Sequence, residues 1–77
     1  MANNDDLEVI YKIIDELTKQ RKALGLSHER LASQAGLNRS AISLIESKKR
    51  IPSILNIYKI CKALNLSLSS IIQKFGA

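Results

Sequence analysis

Hydrophobic residues recur at helical spacing in five separate segments of the chain. Within each segment they lie three or four positions apart, which is the period of an amphipathic helix. We predict helices over about residues 6–23, 28–35, 39–46, 54–64 and 67–75. The expected inward residues are Leu7, Ile10, Ile13, Ile14, Leu17 and Leu24, then Leu31, Ala32 and Ala35, then Ile42 and Ile45, then Ile54, Ile57, Tyr58, Cys61 and Leu64, and last Leu68, Ile71, Ile72 and Phe75. No segment is predicted as a strand, so the expected fold class is all-α.

The short connections carry residues that begin and end helices. Polar residues stand at the starts of the last four segments, at Ser27, Asn38, Ser53 and Ser67. Their side-chain oxygens can accept a hydrogen bond from a free amide in the first turn of a helix. Gly25 and Gly36 can take the left-handed conformation of a helix end or a tight turn. Pro52 lacks an amide donor and separates the third helix from the fourth.

Residues 28–47 combine features that favour two short helices crossing at close range. Ala32 is small enough to let the helices approach, and Gly36 permits the tight turn between them. An apolar wedge under the second helix comes from Leu37, Ile42 and Ile45. This combination predicts a helix-turn-helix pair.

Length and charge narrow the classes of protein further. A chain of 77 residues makes one domain, covering residues 1–77. Its net charge of +5 divides into −4 over residues 1–18 and +9 over residues 19–77, and a basic body suggests a polyanionic partner. No apolar stretch could span a membrane, and the acidic start lacks the basic region of a signal peptide. We therefore expect a cytoplasmic protein with no membrane partner.

Little in the sequence suits catalysis or metal binding. The single cysteine, Cys61, and the single histidine, His28, form no cluster with zinc-ligand spacing. Cys61 lies on an apolar stripe, as expected of an inert core thiol. Tyr11 and Tyr58 are too scattered to stack the bases of a single strand. We expect no enzyme, no cofactor, no metal and no small-molecule effector.

Through these residues, the sequence resembles the Cro/cI-type, or Xre, family of helix-turn-helix repressors over about residues 17–72. The matching features are Leu31-Ala32, Gly36-Leu37, Ile42 with Ile45-Glu46, and Pro52-Ser53. The resemblance implies a five-helix, lambda-repressor-like DNA-binding domain whose helices two and three form the helix-turn-helix. Within the family, the sequence is most similar to the short controller proteins of restriction-modification systems, and a phage-type repressor is the alternative.

The predicted third helix is expected to lie in the major groove of double-stranded DNA. Ser40, Ser43, Leu44 and Ser47 face outward on a helical wheel. Arg39, at the helix start, has a forked guanidinium that matches the two acceptors of guanine, although it could instead bind phosphate alone. We expect base contacts from Arg39, Ser40, Ser43 and Leu44. For Leu44, contact with a thymine methyl and packing against the following loop both stay open.

Phosphate contacts are expected from residues that flank the two helices: Ser27, His28, Asn38, Ser47, Lys48, Lys49 and Arg50. His28 stands where the family usually has glutamine, so a plain exposed histidine is the alternative. The basic run could be a solvated loop, and Arg50 could reach the minor groove. The resemblance also implies a structural ion pair between Glu46 and Arg21.

The stripe Leu68, Ile71, Ile72 and Phe75 could complete the core or form a dimer interface. We favour the dimer interface, in the expected helix at 67–75, because one recognition helix covers too little DNA for high specificity. Two helices about 34 Å apart would then face a near-palindromic operator.

The resulting prediction is a sequence-specific, dimeric transcriptional regulator. Two alternatives keep the same fold. One is an antitoxin-like or other protein-interaction module, and the other uses the basic surface to bind an acidic protein.

Overall fold

The computed structural model describes residues 4–76, with side chains from residue 6 onward. It contains five α-helices in these residues: α1 (Asn4–Ala23), α2 (His28–Ala35), α3 (Arg39–Glu46), α4 (Ile54–Ala63) and α5 (Leu68–Phe75). The described residues hold no strand. The all-α prediction is confirmed, and each helix begins or ends within two residues of its expected bounds.

Capping side chains set the starts of the last four helices. Four hydrogen bonds run from a first-turn amide to the expected cap: Arg30 N to Ser27 Oγ at 3.0 Å, Ala41 N to Asn38 Oδ1 at 2.7 Å, Asn56 N to Ser53 Oγ at 3.1 Å and Ser70 N to Ser67 Oγ at 3.3 Å. Each bond satisfies a donor that the helix itself leaves free.

The turn between α2 and α3 depends on Gly36. Its φ of 70° lies in the left-handed region, which costs a residue with a Cβ roughly 1–2 kcal/mol. The next amide, that of Leu37, then reaches back to the carbonyl of Ala32 at 2.9 Å. The chain thus turns within the three residues between the helices, and α3 packs against α2.

The helices enclose one apolar core. Helix contacts run in a ring from α1 to α3, α2, α4, α5 and back to α1. The buried cluster consists of Ile13, Ile14, Leu17, Leu31, Ala32, Ile42, Ile45, Ile57, Ile60, Cys61, Leu64 and Ile71. Burying one such aliphatic side chain contributes about 1.5–3 kcal/mol. Every helix supplies at least one member, so the core holds α3 in place from beneath.

One residue of the expected α1 stripe was assigned wrongly. Leu24 is 48% exposed because α1 ends at Ala23 and Gly25, with φ 71°, turns the chain away. The helical spacing that appeared to include Leu24 stops one residue before it.

The buried face of α4 also differs from the prediction. Ile57, Cys61 and Leu64 are buried as expected, but Ile54 and Tyr58 are exposed and Ile60 is buried instead. Apolar residues lie nearly all around α4, so spacing alone fits two stripes. Packing against α2 and α5 selects the one that contains Ile60.

Among the described residues, no helix has both the length and the apolar character needed to cross a bilayer.

Candidate nucleic-acid interface

Helix α3 presents a polar face while its opposite face is buried. Ala41, Ile42 and Ile45 lie in the protein interior. The four expected base-contacting residues share the opposite side, where they line one open depression of about 390 Å³: Arg39, Ser40, Ser43 and Leu44. Arg39, Ser40 and Ser43 are exposed, and Leu44 is half-buried. The structure therefore brings all four together on one accessible surface, with the guanidinium-bearing residue at the helix start.

The residues that begin α2 and α3 have polar atoms already engaged as caps. Asn38 Oδ1 accepts the Ala41 amide, which leaves the Asn38 side-chain NH₂ as the group that can donate to a phosphate. Ser27 Oγ accepts the Arg30 amide, and a hydroxyl can still donate its own hydrogen. Both positions keep a donor beside the positive end of a helix, where anions are favoured.

The Ser47 hydroxyl forms a hydrogen bond within the end of its own helix. Its hydroxyl donates to the carbonyl of Leu44 at 3.2 Å. Only lone pairs remain on Ser47 Oγ, and an ionised phosphate has no hydrogen to give them. In the free protein this hydroxyl closes the C-terminal end of α3 and has to turn away from Leu44 to donate to a phosphate, so the expected phosphate contact of Ser47 stays a prediction.

A carboxylate at the end of α3 ties three helices together. Glu46 accepts hydrogen bonds from Arg21 Nε at 2.7 Å and Arg21 Nη2 at 2.9 Å. Arg21 Nη1 also donates to the carbonyl of Leu26 at 2.6 Å, and Arg21 as a whole is only 9% exposed. The structure thus places Arg21 and Glu46 in the contact that the resemblance implied, between α1 and α3.

Burial alone would raise the pKa of Glu46. Hydrogen bonds and positive charge from Arg21 and His28 outweigh this effect and hold the pKa below its ordinary value. The carboxylate is therefore ionised near neutral pH and holds a negative charge at the end of α3, between Arg21 and His28.

His28 is the second partner of Glu46. Its Nε2 lies 2.9 Å from Glu46 Oε1, so that nitrogen is engaged at the end of α3. The expected phosphate contact of His28 stays a prediction, and it falls to Nδ1 as long as Glu46 holds Nε2. Sequence reasoning missed the contact, although a carboxylate can accept more hydrogen bonds than one arginine supplies.

The three basic residues after α3 have different surroundings: Lys48 contacts α1, whereas Lys49 and Arg50 are exposed. Lys48 has φ 64°, and its Nζ lies 2.8 Å from Asp15 Oδ1 and 5.6 Å from the centre of the Tyr11 ring. In the free protein this side chain is therefore directed toward Asp15 of α1, and the expected phosphate contact of Lys48 stays a prediction. Lys49 and Arg50 are exposed, and their amides donate to the carbonyl of Leu44 at 3.0 and 3.2 Å.

A further cation, Arg30, was missed by the sequence reasoning. It is exposed on the first turn of α2 and lines a shallow depression of about 340 Å³ with Ser27, Glu29 and Ser33. Arg30 follows the capping residue Ser27 by three positions, so both residues lie at the start of α2. This spacing was the signal in the sequence that could have pointed to Arg30.

The stripe on α5 belongs largely to the protein interior. Ile71 is 4% exposed, whereas Ile72 is 45% exposed. Leu68 and Phe75 pack against the core from its edge. The expected dimer interface is corrected for Ile71, because contact of α5 with α1 and α4 buries it within one chain. Only Ile72 is left as a large exposed apolar residue of the stripe.

Two observations concern thiol reactivity and metal binding. Burial raises the pKa of the Cys61 thiol, which disfavours the reactive thiolate. Within the part of the chain that the structure describes, no three His, Cys, Asp or Glu side chains gather as a metal site.

Known proteins share both this sequence pattern and this fold. The helix-turn-helix family model HTH_3 matches residues 17–71. A crystal structure of a point mutant of the restriction-modification controller protein C.Esp1396I superposes with a TM-score of 0.78, at 30% identity and with 87% of each chain covered.

Curated relatives are transcriptional regulators by name. The HTH-type transcriptional regulator PuuR of Escherichia coli is 41% identical over 58 residues, which are 75% of this chain and 31% of PuuR. The CTXphi transcriptional repressor RstR of Vibrio cholerae is 30% identical over 65 residues, 84% of this chain and 58% of RstR. The HTH-type regulator YgzD of Bacillus subtilis is 30% identical over 57 residues, 74% of this chain and 86% of YgzD.

The chain therefore spans less than two thirds of PuuR and of RstR. What it shares with them is the part that contains the helix-turn-helix, and the resemblance predicted from the motif residues is confirmed. The chain belongs to the HTH_3 helix-turn-helix family, of the Xre type.

Proposed function

We propose that this chain regulates transcription in the cytoplasm by binding double-stranded DNA at a specific operator, as a binding protein without enzymatic activity. One observation carries the proposal. The exposed face of α3 gathers Arg39, Ser40, Ser43 and Leu44 around one depression, while the buried pair of Arg21 and Glu46 fixes the far end of the same helix.

Arg39 is the main base-reading residue in this proposal. Its guanidinium can donate two parallel hydrogen bonds to guanine N7 and O6 in the major groove. Ser40 and Ser43 are small and exposed, so they permit close approach of the helix and can donate to base edges. Leu44 offers apolar contact to a thymine methyl.

Phosphate contacts surround this face and set the depth of the helix in the groove. We assign them to Lys49 and Arg50 after α3, and to Ser27, Arg30 and the side-chain amide of Asn38 at the helix starts. Each neutralised phosphate releases counterions, which adds salt-dependent affinity without sequence preference. His28 contributes through Nδ1 alone.

The operator is proposed to be near-palindromic and bound by two copies. One short helix contacts too few base pairs for a specific site in a genome, whereas two helices about 34 Å apart read two half-sites one turn apart. The likeness to a controller protein over 87% of both chains supports a regulator of the controller type more than one of the larger regulators.

A selection experiment tests the proposal. Purified protein is mixed with a random duplex library at physiological ionic strength, and the retained DNA is sequenced. We expect a motif with two inverted half-sites whose centres lie about 10 base pairs apart. Retention of duplexes without any motif, or of none, would contradict the proposal and favour a protein partner for the same surface.

A further inference from the structure

We propose that DNA binding by this chain takes up a proton at His28, the single histidine of the sequence. Glu46 holds the histidine ring in a form whose accessible nitrogen cannot donate a hydrogen bond to phosphate until the ring is charged. The inference rests on the proposed function and adds a regulation of the same surface. Affinity for DNA rises as pH falls through the range in which histidine becomes charged.

The Glu46 carboxylate that contacts His28 is itself fixed by Arg21. Arg21 Nε donates to Oε2 at 2.7 Å and Arg21 Nη2 to Oε1 at 2.9 Å. Arginine keeps its charge at every pH at which a protein is folded, and the pKa of Glu46 lies below its ordinary value of 4.5. Glu46 is therefore ionised over the range in which histidine changes charge, about pH 5–8. An ionised carboxylate accepts hydrogen bonds and has none to donate.

This contact decides which ring nitrogen of His28 carries the hydrogen. His28 Nε2 lies 2.9 Å from Glu46 Oε1. Because the carboxylate only accepts, Nε2 has to be the donor. A neutral imidazole carries one N–H and leaves its other nitrogen as an acceptor. Neutral His28 therefore has an unprotonated Nδ1.

Nδ1 is the His28 nitrogen that a bound duplex can reach. The His28 side chain is 33% exposed, and Nδ1 has no hydrogen-bond partner in the part of the chain that the structure describes. Within those residues, the buried side-chain polar atom without a partner is Thr18 Oγ1, so Nδ1 is open to solvent. The proposed phosphate contacts Ser27 and Arg30 lie in the same first turn of α2.

The two charge states of His28 differ sharply toward a phosphate. In the neutral ring, the lone pair of Nδ1 meets a phosphate oxygen that also only accepts, so the two repel. The charged ring has a hydrogen on both nitrogens. It can donate to Glu46 and to phosphate at once, and both bonds are strengthened by charge. DNA therefore selects the charged ring, and binding takes up a proton by linkage.

The surrounding charges leave room for one more cation. Glu46 of α3 contacts the ring directly, and Arg21 of α1 lies on the other side of the carboxylate. Their charges cancel, so protonation of His28 gives the cluster a net charge of +1, which a phosphate can balance. On α2 itself, the neighbouring Glu29 and Arg30 are exposed and opposite in charge.

A first measurement needs no DNA. Nitrogen-15 chemical shifts of the imidazole report which ring nitrogen carries the hydrogen, and a single histidine gives an unambiguous signal. Above about pH 8, where histidine is ordinarily neutral, we expect the hydrogen on Nε2. In Glu46→Gln, the amide NH₂ can donate to Nε2, so a larger share of the Nδ1–H form is expected. A parent protein with its hydrogen mainly on Nδ1 would overturn the proposal.

DNA affinity at two pH values is the second measurement. Fluorescence titrations of a mixed-sequence duplex at constant salt compare the parent protein with His28→Gln, whose side-chain amide donates without changing charge. We expect the parent protein to bind about tenfold more weakly at about pH 8 than at about pH 6, and His28→Gln to change little. Equal parent affinities at the two pH values, or the same dependence in His28→Gln, would refute proton uptake at His28.

Glu46→Gln separates the positioning role of Glu46 from the charge of His28 alone. Once the carboxylate is replaced, the neutral ring can place its hydrogen on Nδ1 and donate to phosphate, so the pH dependence of binding is expected to shrink. Circular dichroism checks that the variant folds. A pH dependence equal to that of the parent protein would show that Glu46 has no such role. Should the variant not fold, the ring tautomer of the parent protein decides the same question.

Failure of this inference is distinguishable from failure of the proposed function. If the parent protein selects a motif but binds equally at both pH values, the function stands and proton uptake is wrong. If it binds no duplex at either pH, the proposed function itself fails, whatever the ring tautomer in the free protein.

Discussion

The Arg21 guanidinium meets the Glu46 carboxylate with two hydrogen bonds, Nε to Oε2 at 2.7 Å and Nη2 to Oε1 at 2.9 Å. The two side chains are 10% and 13% exposed. Because Arg21 lies late in α1 and Glu46 is the last residue of α3, this forked contact fixes the recognition helix against the longest helix of the fold.

Removing one partner of this pair leaves the other charge poorly solvated. We expect Arg21→Ala to lower the free energy of unfolding by about 3 kcal/mol, measured by urea denaturation. Lys49→Ala is the control, because Lys49 is exposed and such a substitution stays within about 0.5 kcal/mol. Equal midpoints for the two variants would show that the ion pair contributes nothing to stability.

Acid should weaken the fold through Glu46. Burial opposes ionisation of this group, but Arg21 and His28 hold its pKa below the ordinary value of 4.5. Since the folded pKa is the lower one, the stabilisation is fully present above the ordinary value and is lost as pH falls through the folded pKa. We expect the free energy of unfolding to decrease in that window.

Glu46→Gln serves as the control for this acid effect. Glutamine does not titrate, so the variant is expected to be less stable near neutral pH and to lose less stability on acidification. Denaturant titrations across the acidic range measure both slopes. If the variant and the parent protein show the same slope below the ordinary carboxyl pKa, Glu46 is not the group responsible.

How far the sequence predicts the structure depends on whether a feature is local. Helix starts at Ser27 and Asn38, and the turn at Gly36, follow from the side chains present at those positions. The buried side of α4 does not follow in this way. By helical spacing alone, either Ile54 or Ile60 could belong to the buried stripe, and packing of α2 against one side of α4 decides between them. That selection depends on tertiary packing, which helical spacing within one segment does not predict.

In the candidate site, too, local features are predictable from the sequence and contacts between distant residues are not. The outward face of α3 follows from its helical wheel, since Ile42 and Ile45 must be buried together. By contrast, His28 bonds to Glu46, 18 residues away, and Lys48 pairs with Asp15 across the fold. Both partners are distant in the chain, so assigning these polar residues by position alone left the choice between DNA and protein contacts undetermined.

Base reading by Arg39 predicts a loss of sequence preference, not only of affinity. We expect Arg39→Ala to weaken operator binding by about 1–3 kcal/mol and to relax the choice at one guanine position. Arg39→Lys keeps the charge but not the fork, so it should lose the same preference while retaining more non-specific affinity. Selected motifs for the three proteins measure this. An unchanged motif in Arg39→Ala would assign the residue to phosphate alone.

Lys48 and Lys49, neighbours in the basic loop after α3, are expected to differ in how they affect the salt dependence of DNA binding. Lys49 is exposed beside α3, so Lys49→Ala is expected to weaken all duplexes alike and to lower the slope of log affinity against log salt by about one. Lys48 is held by Asp15 and lies over Tyr11, so Lys48→Ala, which removes the same charge, should change that slope much less. Fluorescence titrations of one duplex at several salt concentrations compare the two variants. Equal slopes would mean that Lys48 leaves Asp15 for a phosphate when DNA binds, because the two lysines would then neutralise the backbone alike.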